Sequence, residues 1–559
     1  MDCKNALYLG LVILFTNLPV KTKAQLSAQK ATFSRADTLK GYLTPLRSCY
    51  DINFYHLDVK FNIDKKFISG SNLFKFTATQ DFTRLQFDLF ANLNIDKIVY
   101  HNQVLQYTRE ANAVFISFPE SIKKHSKDEF TVFYSGYPNV AFKAPRESGI
   151  VFAKDSLGYP LVATACESKG ASIWWPNKDH LSDEPDSMLI SVSVPKVLKE
   201  VSNGRLRKIT DLKSGYKKFD WFVGNAINNY NVAVNIGNYT HFSDNYAGEK
   251  GKLTLDYWVL PYNLSRAKVD FAKNVKPLLK AYEYWFGPYP FYEDGYKLVE
   301  TPYPAMEHQS AISYGGYMRG GPKNELIGVS GGEKWDFVIV HESAHEWFGN
   351  NITAKDLGDL WIHEAFGSYA ESLFIENLYS KKAGQEYLYA NRAGIANDGL
   401  IVAPYHVNQM GSGDMYSKGA MLLNTVRTII NDDEKWRIIL RGLNKEYYHQ
   451  TVTYDQIVNY LSTQSGKNLE PVFDQYLRYK SLPVLELAVK NGKLNCRWIA
   501  EAEDFNMPLR VKISGGEYHF IYPSAKFAPI DLAGISAENI EVDTSNYYIG
   551  LIKPDQIKI

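Results

Sequence analysis

Residues 341–345 read His-Glu-Ser-Ala-His, and after eighteen further residues Glu364 follows within Trp-Ile-His-Glu-Ala-Phe. This spacing constrains the fold more than any other feature of the chain. On an α-helix, positions i and i+4 share one face, so His341 and His345 can turn two imidazole nitrogens toward one ion. A carboxylate from a following helix, Glu364, supplies a third ligand, and catalytic zinc takes three protein ligands while keeping a fourth position open. Glu342 stands beside the first ligand, where it can take a proton from water, which makes it the candidate general base.

The surrounding residues support two helices. From Glu333 to Phe348 the apolar positions Trp335, Phe337, Val338, Val340, Ala344 and Phe348 recur at helical spacing, and Gly349-Asn350 is a stop signal. A second pattern runs from Leu360 to Tyr379, with Ile362, Ala365, Phe366, Tyr369, Ala370, Leu373 and Phe374 as its stripe. Glu364 falls among its more polar positions, with Glu371 two turns on. Glu371 reads equally as a partner to a metal-bound imidazole and as an ordinary helix-surface carboxylate.

The 559 residues exceed what one hydrophobic core serves, so several domains are expected. A net charge of +1 and the absence of basic runs argue against nucleic acid as a partner. At the amino terminus Lys4, the apolar stretch Ala6 to Phe15 and the small-x-small run Thr22-Lys23-Ala24 form a candidate export signal, cleaved before Gln25. No later segment is apolar for the roughly 20 residues a membrane helix needs, so the mature chain is expected to be soluble and exported, either periplasmic or extracellular. Cys49, Cys166 and Cys496 form no Cys-x-x-Cys pair and read as buried single thiols.

Along the chain, residues 25–248 are dominated by short alternating runs, among them Phe54 to Ile63, Ser71 to Thr77, Leu85 to Leu89, Phe130 to Tyr134 and Met188 to Val194. They imply an antiparallel β domain. Residues 249–480 turn helical, with expected helices over Ser265 to Phe286, Ala420 to Asn431, Glu434 to Tyr448, Tyr454 to Ser465 and Leu469 to Arg478. Residues 481–559 return to β pattern as a small final domain, and residues 1–24 are assigned to the signal.

Two further elements give direction to the metal motif. Residues 304–309 read Pro-Ala-Met-Glu-His-Gln, and residues 416–420 read Tyr-Ser-Lys-Gly-Ala. With the metal spacing, these resemble the gluzincin aminopeptidases, peptidase family M1, to which aminopeptidase N belongs. Pro304 to His308 stand at the family's Gly-x-Met-Glu-Asn strand, Tyr416, Lys418 and Gly419 at its Tyr-x-Lys-Gly element, and Trp361 to Ala365 at its Trp-Leu-Asn-Glu-Gly segment. The resemblance implies an α+β multidomain fold: an amino-terminal antiparallel β-sandwich or saddle, a thermolysin-like and mostly helical catalytic domain, and a small carboxyl-terminal β-sandwich.

It also implies roles. One Zn2+ per chain would be held by His341, His345 and Glu364. Glu307 would bind the free α-ammonium of a peptide substrate, with Glu167 falling where family members place a second amine contact. Tyr416 would share the oxyanion of the reaction. The implied activity is removal of the amino-terminal residue from peptides. Two alternatives share the metal motif: a thermolysin-type zinc endopeptidase and a non-catalytic peptide-binding homologue. Three departures stand out, namely Pro304 for Gly, His308 for Asn and His363 for Asn. His308 is expected to add a titratable ring near the amine site. Many members also carry a long carboxyl-terminal helical domain that this chain is expected to lack, which implies a more open cleft or closure by another subunit. The oligomeric state and the preferred first residue are not set by the sequence.

Overall fold

The computed structural model describes residues 32–317, 335–490 and 493–553. The export signal expected over residues 1–24 lies outside them. The amino-terminal β unit is built on an eight-stranded sheet whose centre is the hairpin Tyr50–Asn62 and Phe67–Ala78. Its strands bury alternate residues: Tyr55, Leu57, Val59 and Phe61 point into the core while the residues between them are more exposed. This is the two-residue period of a sheet with one covered face. A four-stranded sheet containing Gly149–Lys154 and Pro160–Ala165, and a three-stranded one, complete the unit.

One pairing departs from the antiparallel expectation. Tyr50–Asn62 lies parallel to Ser187–Pro195, with Phe54 opposite Ser187 and Lys60 opposite Ser193. More than a hundred residues separate the two strands, and parallel neighbours need such a crossover where antiparallel ones can be joined by a hairpin.

The next unit opens with a mixed five-stranded sheet, in spatial order Thr240–Gly248, Gly251–Val259, Tyr296–Glu300, Ile312–Tyr314 and Ala305–Met306. The domain division expected between residues 248 and 249 therefore falls in the turn of a hairpin. By its hydrogen bonds Thr240–Gly248 belongs with the second unit, and the alternating pattern that placed it in the first does not say which sheet it joins. The helices follow the sequence pattern closely: Leu264–Phe286, Trp361–Leu378, Ser417–Ile430, Asp433–Glu446, Tyr454–Ser465 and Glu470–Leu477. The carboxyl-terminal strands form a four-stranded and a three-stranded sheet. Their core residues, including Leu485, Trp498 and Leu509, are continuous with those of the helical unit, whereas the amino-terminal unit has a separate core.

The helix carrying the two histidines is shorter than expected, spanning Phe337–Ala344. It begins where the Asp336 side chain accepts from the Ile339 amide at 3.2 Å, an N-cap that leaves Trp335 outside. After His345 the backbone widens: Asn350, Asn351 and Ile352 donate to the carbonyls of His345, Glu346 and Trp347, each five residues back. Such widened turns favour functional sites because they re-aim side chains away from the regular helical screw.

Candidate active site and metal centre

His341 and His345 meet Glu364 as the spacing requires. The Nε2 atoms of the two histidines are 3.3 Å apart, and Glu364 Oε2 lies 3.6 Å from His341 Nε2 and 3.7 Å from His345 Nε2. Atoms each about 2.1 Å from a tetrahedral ion would be separated by about 3.4 Å. All three residues are buried, and Glu364 Oε2 has no hydrogen-bond partner. A buried carboxylate oxygen without a donor is costly unless a cation meets it, so this donor set fits zinc. Among the described residues it is the one such cluster.

The far side of each imidazole is occupied. His341 Nδ1 contacts Glu371 Oε1 at 2.6 Å, and the other oxygen of Glu371 accepts from the Tyr387 hydroxyl. His345 Nδ1 contacts the Phe348 carbonyl at 3.0 Å. With Nδ1–H donating on both rings, Nε2 keeps its lone pair for a metal. Glu371 thus resolves as a partner of His341 and not a surface carboxylate. Space for the His345 ring comes from Gly367, where an added Cβ would lie 3.0 Å from His345 Cε1.

Glu307 follows the sheet's edge strand Ala305–Met306 and is 5% exposed. Its position relative to the histidines is fixed from both sides. Its carbonyl accepts from Asn350 Nδ2 at 2.9 Å, and Asn350 in turn accepts from Asn231 Nδ2 at 2.7 Å. Three residues on, the Ser310 amide donates to Glu346 at 2.8 Å. Glu346 sits next to His345, so the Glu307 loop and the metal-binding segment are joined by buried bonds at two points. Glu167 leaves the end of Pro160–Ala165 in a turn closed by Gly170 N to Cys166 O at 2.7 Å.

The Oε1 atoms of both Glu167 and Glu307 are buried and unpartnered. Burial and the neighbouring Glu307 hold Glu167 well above the usual carboxylate range. Glu307 is raised by burial against the pull of His345, and Glu342 is pushed up to about 8, chiefly by burial. Glu167, Glu307 and Glu342 therefore hold protons or cations more tightly than free carboxylates, while Glu364, raised by burial, is lowered overall by His345 and His341.

Tyr416 precedes helix Ser417–Ile430, is 37% exposed, and stacks beside His341 with ring centroids 6.0 Å apart. The charge of Glu364, followed by burial, holds its hydroxyl well above the usual tyrosine range, so it remains a donor. The two residues that follow it in the motif explain how it is placed. Lys418 is buried and donates to the carbonyls of Tyr479 and Lys480. Gly419 abuts Ala365, where an added Cβ would come within 2.5 Å of the Ala365 Cβ. This close approach sets the tyrosine's helix against the helix of Glu364.

Other expectations are revised. His308 is wholly buried, its Nδ1 lies 3.1 Å from Ser313 Oγ, and burial pushes it down to about 3. It is a neutral packing residue and adds no titratable charge near Glu307. His363 accepts from the Ala354 amide at 2.8 Å and is likewise pushed down to about 3 by burial. Pro304 leaves the edge strand intact because its carbonyl, not its nitrogen, pairs with Gly315. Trp174 and Trp175 are core residues, and Cys49, Cys166 and Cys496 are, as expected, buried free thiols. Sequence reasoning missed Tyr230, whose buried ring stands beside Glu307 and parallel to His363, because no motif marks it. It read Asn350 only as a helix stop.

The peptidase family M1 domain profile matches residues 271–476, which contain the metal cluster, Glu307, Glu342 and Tyr416. Residues 271–476 thus carry a peptidase family M1 domain. The chain is 24% identical over 412 residues to probable aminopeptidase 2 of Sulfurisphaera tokodaii, covering 69% of itself and 51% of that protein. It is 21% identical to the leucyl aminopeptidase of Saccharolobus solfataricus, covering 72% of itself and 52% of that protein. It thus spans about half the length of these curated relatives. In structure it resembles an M1 zinc metallopeptidase from Deinococcus radiodurans with a TM-score of 0.65 at 19% identity, covering 78% of this chain and 95% of the other. A mutant of that protein has been solved bound to a Tyr-Ser-Ala substrate, with the same TM-score to this chain and 20% identity over the same shares of both chains. No helix among the described residues is long and apolar enough to cross a membrane.

Proposed function

We propose that this chain is a zinc aminopeptidase that removes the first residue of peptides with a free amino terminus. The observation that carries the reading is the pair of buried, unpartnered carboxylate oxygens on Glu167 and Glu307 beside the metal cluster. A cationic ammonium satisfies both at once, and an internal peptide N–H satisfies neither as well. Anchoring the ammonium there fixes which peptide bond faces His341, His345 and Glu364.

Zinc held by these three residues would polarise the scissile carbonyl and allow water to act as nucleophile near neutral pH. Glu342, buried and with its proton affinity raised, accepts the proton of the attacking water and returns it to the departing amine. The Tyr416 hydroxyl donates to the oxygen that gains charge, a role suited to a group kept protonated by its neighbours. Glu371 holds His341 in the tautomer and orientation that keep Nε2 available. Tyr230, itself buried, stands beside Glu307. The leader-like residues 1–24 support release of the enzyme outside the cytoplasm.

Matched peptides with free and acetylated amino termini test the assignment. The free peptide should lose residues one at a time from its amino end, while the acetylated one stays intact. Equal hydrolysis of both would replace the reading by an endopeptidase. No hydrolysis of either with zinc bound would leave the peptide-binding homologue.

A further inference from the structure

A cavity of about 580 Å³ lies apart from the metal centre, and none of the residues assigned to the active site lines it. Its volume is within the roughly 300–1,000 Å³ of sites that hold small organic ligands. One wall is the outward face of helix Asp433–Glu446. Trp436, Ile439, Leu440 and Leu443 turn inward, which leaves Arg437, Ile438, Arg441 and Lys445 along the opposite stripe at helical spacing. The facing wall is the segment after helix Leu264–Phe286, with Pro288 and Pro290, and the hairpin turn at Lys250.

Two properties of the lining select a class of ligand. The first is charge: Lys250, Arg437, Arg441 and Lys445 line the cavity and no carboxylate does. Arg437 is held by Glu434, and Arg441 by Glu249 at 2.8 Å, so both guanidinium groups are oriented and largely compensated. Among the described residues Lys250 and Lys445 form no ion pair; Lys250 lies over the Tyr448 ring, 4.7 Å from its centroid, with its ammonium 3.5 Å from the Tyr448 hydroxyl. The second is the apolar surface between these charges. Ile438 is 58% exposed in the middle of the cationic stripe, facing the two prolines and Tyr448. An exposed isoleucine enclosed by a concave apolar wall is surface from which a hydrocarbon chain would displace water.

We infer that this cavity binds a carboxylate-bearing amphiphile of the medium-chain fatty-acid class, with its tail against Ile438, Pro288 and Tyr448 and its carboxylate met by Lys250 and Lys445. A simple anion would not use the apolar wall, and a neutral lipid would leave the two ammonium groups without a counter-charge. The inference is independent of the aminopeptidase reading, since it rests on none of the same residues.

Calorimetric titration of the full chain with octanoate tests it, with octanol, acetate and ADP as parallel probes. Octanoate should saturate one site with a Kd below about 1 mM, while octanol and acetate bind at least about tenfold more weakly. The doubly charge-reversed variant K250E/K445E should weaken octanoate by roughly tenfold or more, as two favourable contacts become repulsive. Ile438→Glu, which disturbs only the tail region, should do the same. Both variants should keep wild-type thermal midpoints and peptidase rates, which shows that they fold. No saturable octanoate binding, unchanged binding in both variants, or tighter binding of ADP than of octanoate would each overturn the assignment.

Discussion

Glu200→Gln should stabilise this protein at neutral pH, although it removes a charge-bearing residue from a hydrogen-bonded core. Glu200 is completely buried in the amino-terminal unit. The Ser202 hydroxyl lies 2.6 Å from Glu200 Oε1 and 2.7 Å from the Ala233 carbonyl, and Trp221 Nε1 donates to Glu200 Oε2 at 2.8 Å. Ser202 has one proton for two acceptors. The geometry is satisfied in full only if Glu200 carries a proton and donates to Ser202, which then donates to Ala233. Burial gives the same answer, since it pushes the carboxyl from an ordinary 4.5 up to about 8.

A carboxyl whose folded value is raised favours the folded state below about pH 4.5 and loses that advantage as pH rises toward 8. Each unit is worth about 1.4 kcal/mol, so by pH 7.5 the wild type should have lost on the order of 4 kcal/mol through this residue. Gln keeps the hydrogen-bond pattern, its amide nitrogen donating to Ser202 and its oxygen accepting from Trp221, and it does not titrate. Denaturant unfolding of both proteins at pH 5 and pH 7.5 provides the measurement. The variant should match the wild type within about 1 kcal/mol at pH 5 and exceed it by about 3–4 kcal/mol at pH 7.5. Groups common to both proteins cancel in the difference. A difference that does not change with pH, or a variant weaker at pH 7.5 than at pH 5 relative to wild type, would refute the proton assignment. The same stretch reaches the active site: Asn203 Nδ2 donates to Asn231 O and Gln309 O, so the test probes the strand that supports the Glu307 loop.

Four further outcomes are expected. Glu307→Gln should lower kcat/KM on free-amine peptides by about 10²-fold or more, because a charge-assisted contact in a dry pocket becomes a neutral one; a change confined to less than twofold would exclude Glu307 from amine binding. Tyr416→Phe should lower kcat by about 10²–10³-fold with little change in KM, measured by steady-state kinetics on an aminoacyl reporter. Glu371→Ala should weaken zinc about 10–100-fold in a chelator competition, with Glu371→Gln recovering part of the loss. Gly419→Ala should destabilise the fold by about 1–3 kcal/mol in thermal unfolding and depress kcat, since the new methyl meets Ala365 beside the Glu364 ligand.

What could be read in the sequence follows from how local each signal is. The helices Leu264–Phe286 and Tyr454–Ser465 were legible because apolar residues at helical spacing and a stop signal lie within one stretch of chain. The approach of His341 to His345 was legible because a helix converts that interval of residues into a distance. Helix Lys381–Asn391 carries no comparable stripe, with only Ala383, Gly384, Tyr387 and Leu388 buried, and it passed unread. The parallel pairing of Tyr50–Asn62 with Ser187–Pro195 depends on contacts that no window of sequence contains.

The same distinction explains His308. Read in sequence, a histidine next to Glu307 looks like a charge placed beside the amine site. Directly after the edge strand the two side chains part: Glu307 feels the charges of His345 and Glu364, whereas His308 meets Ser313 on the neighbouring strand. Burial without a carboxylate partner then keeps the ring neutral. Glu371 is the converse case. Its spacing from Glu364 left two readings open, and packing against the metal helix decided between them by bringing it to 2.6 Å from His341. Proximity in sequence therefore misjudged the residue adjacent to Glu307, while helical periodicity left open a residue that the fold brings to His341. Candidate site residues in such a chain are better sought by the geometry of the element that carries them than by adjacency to a motif.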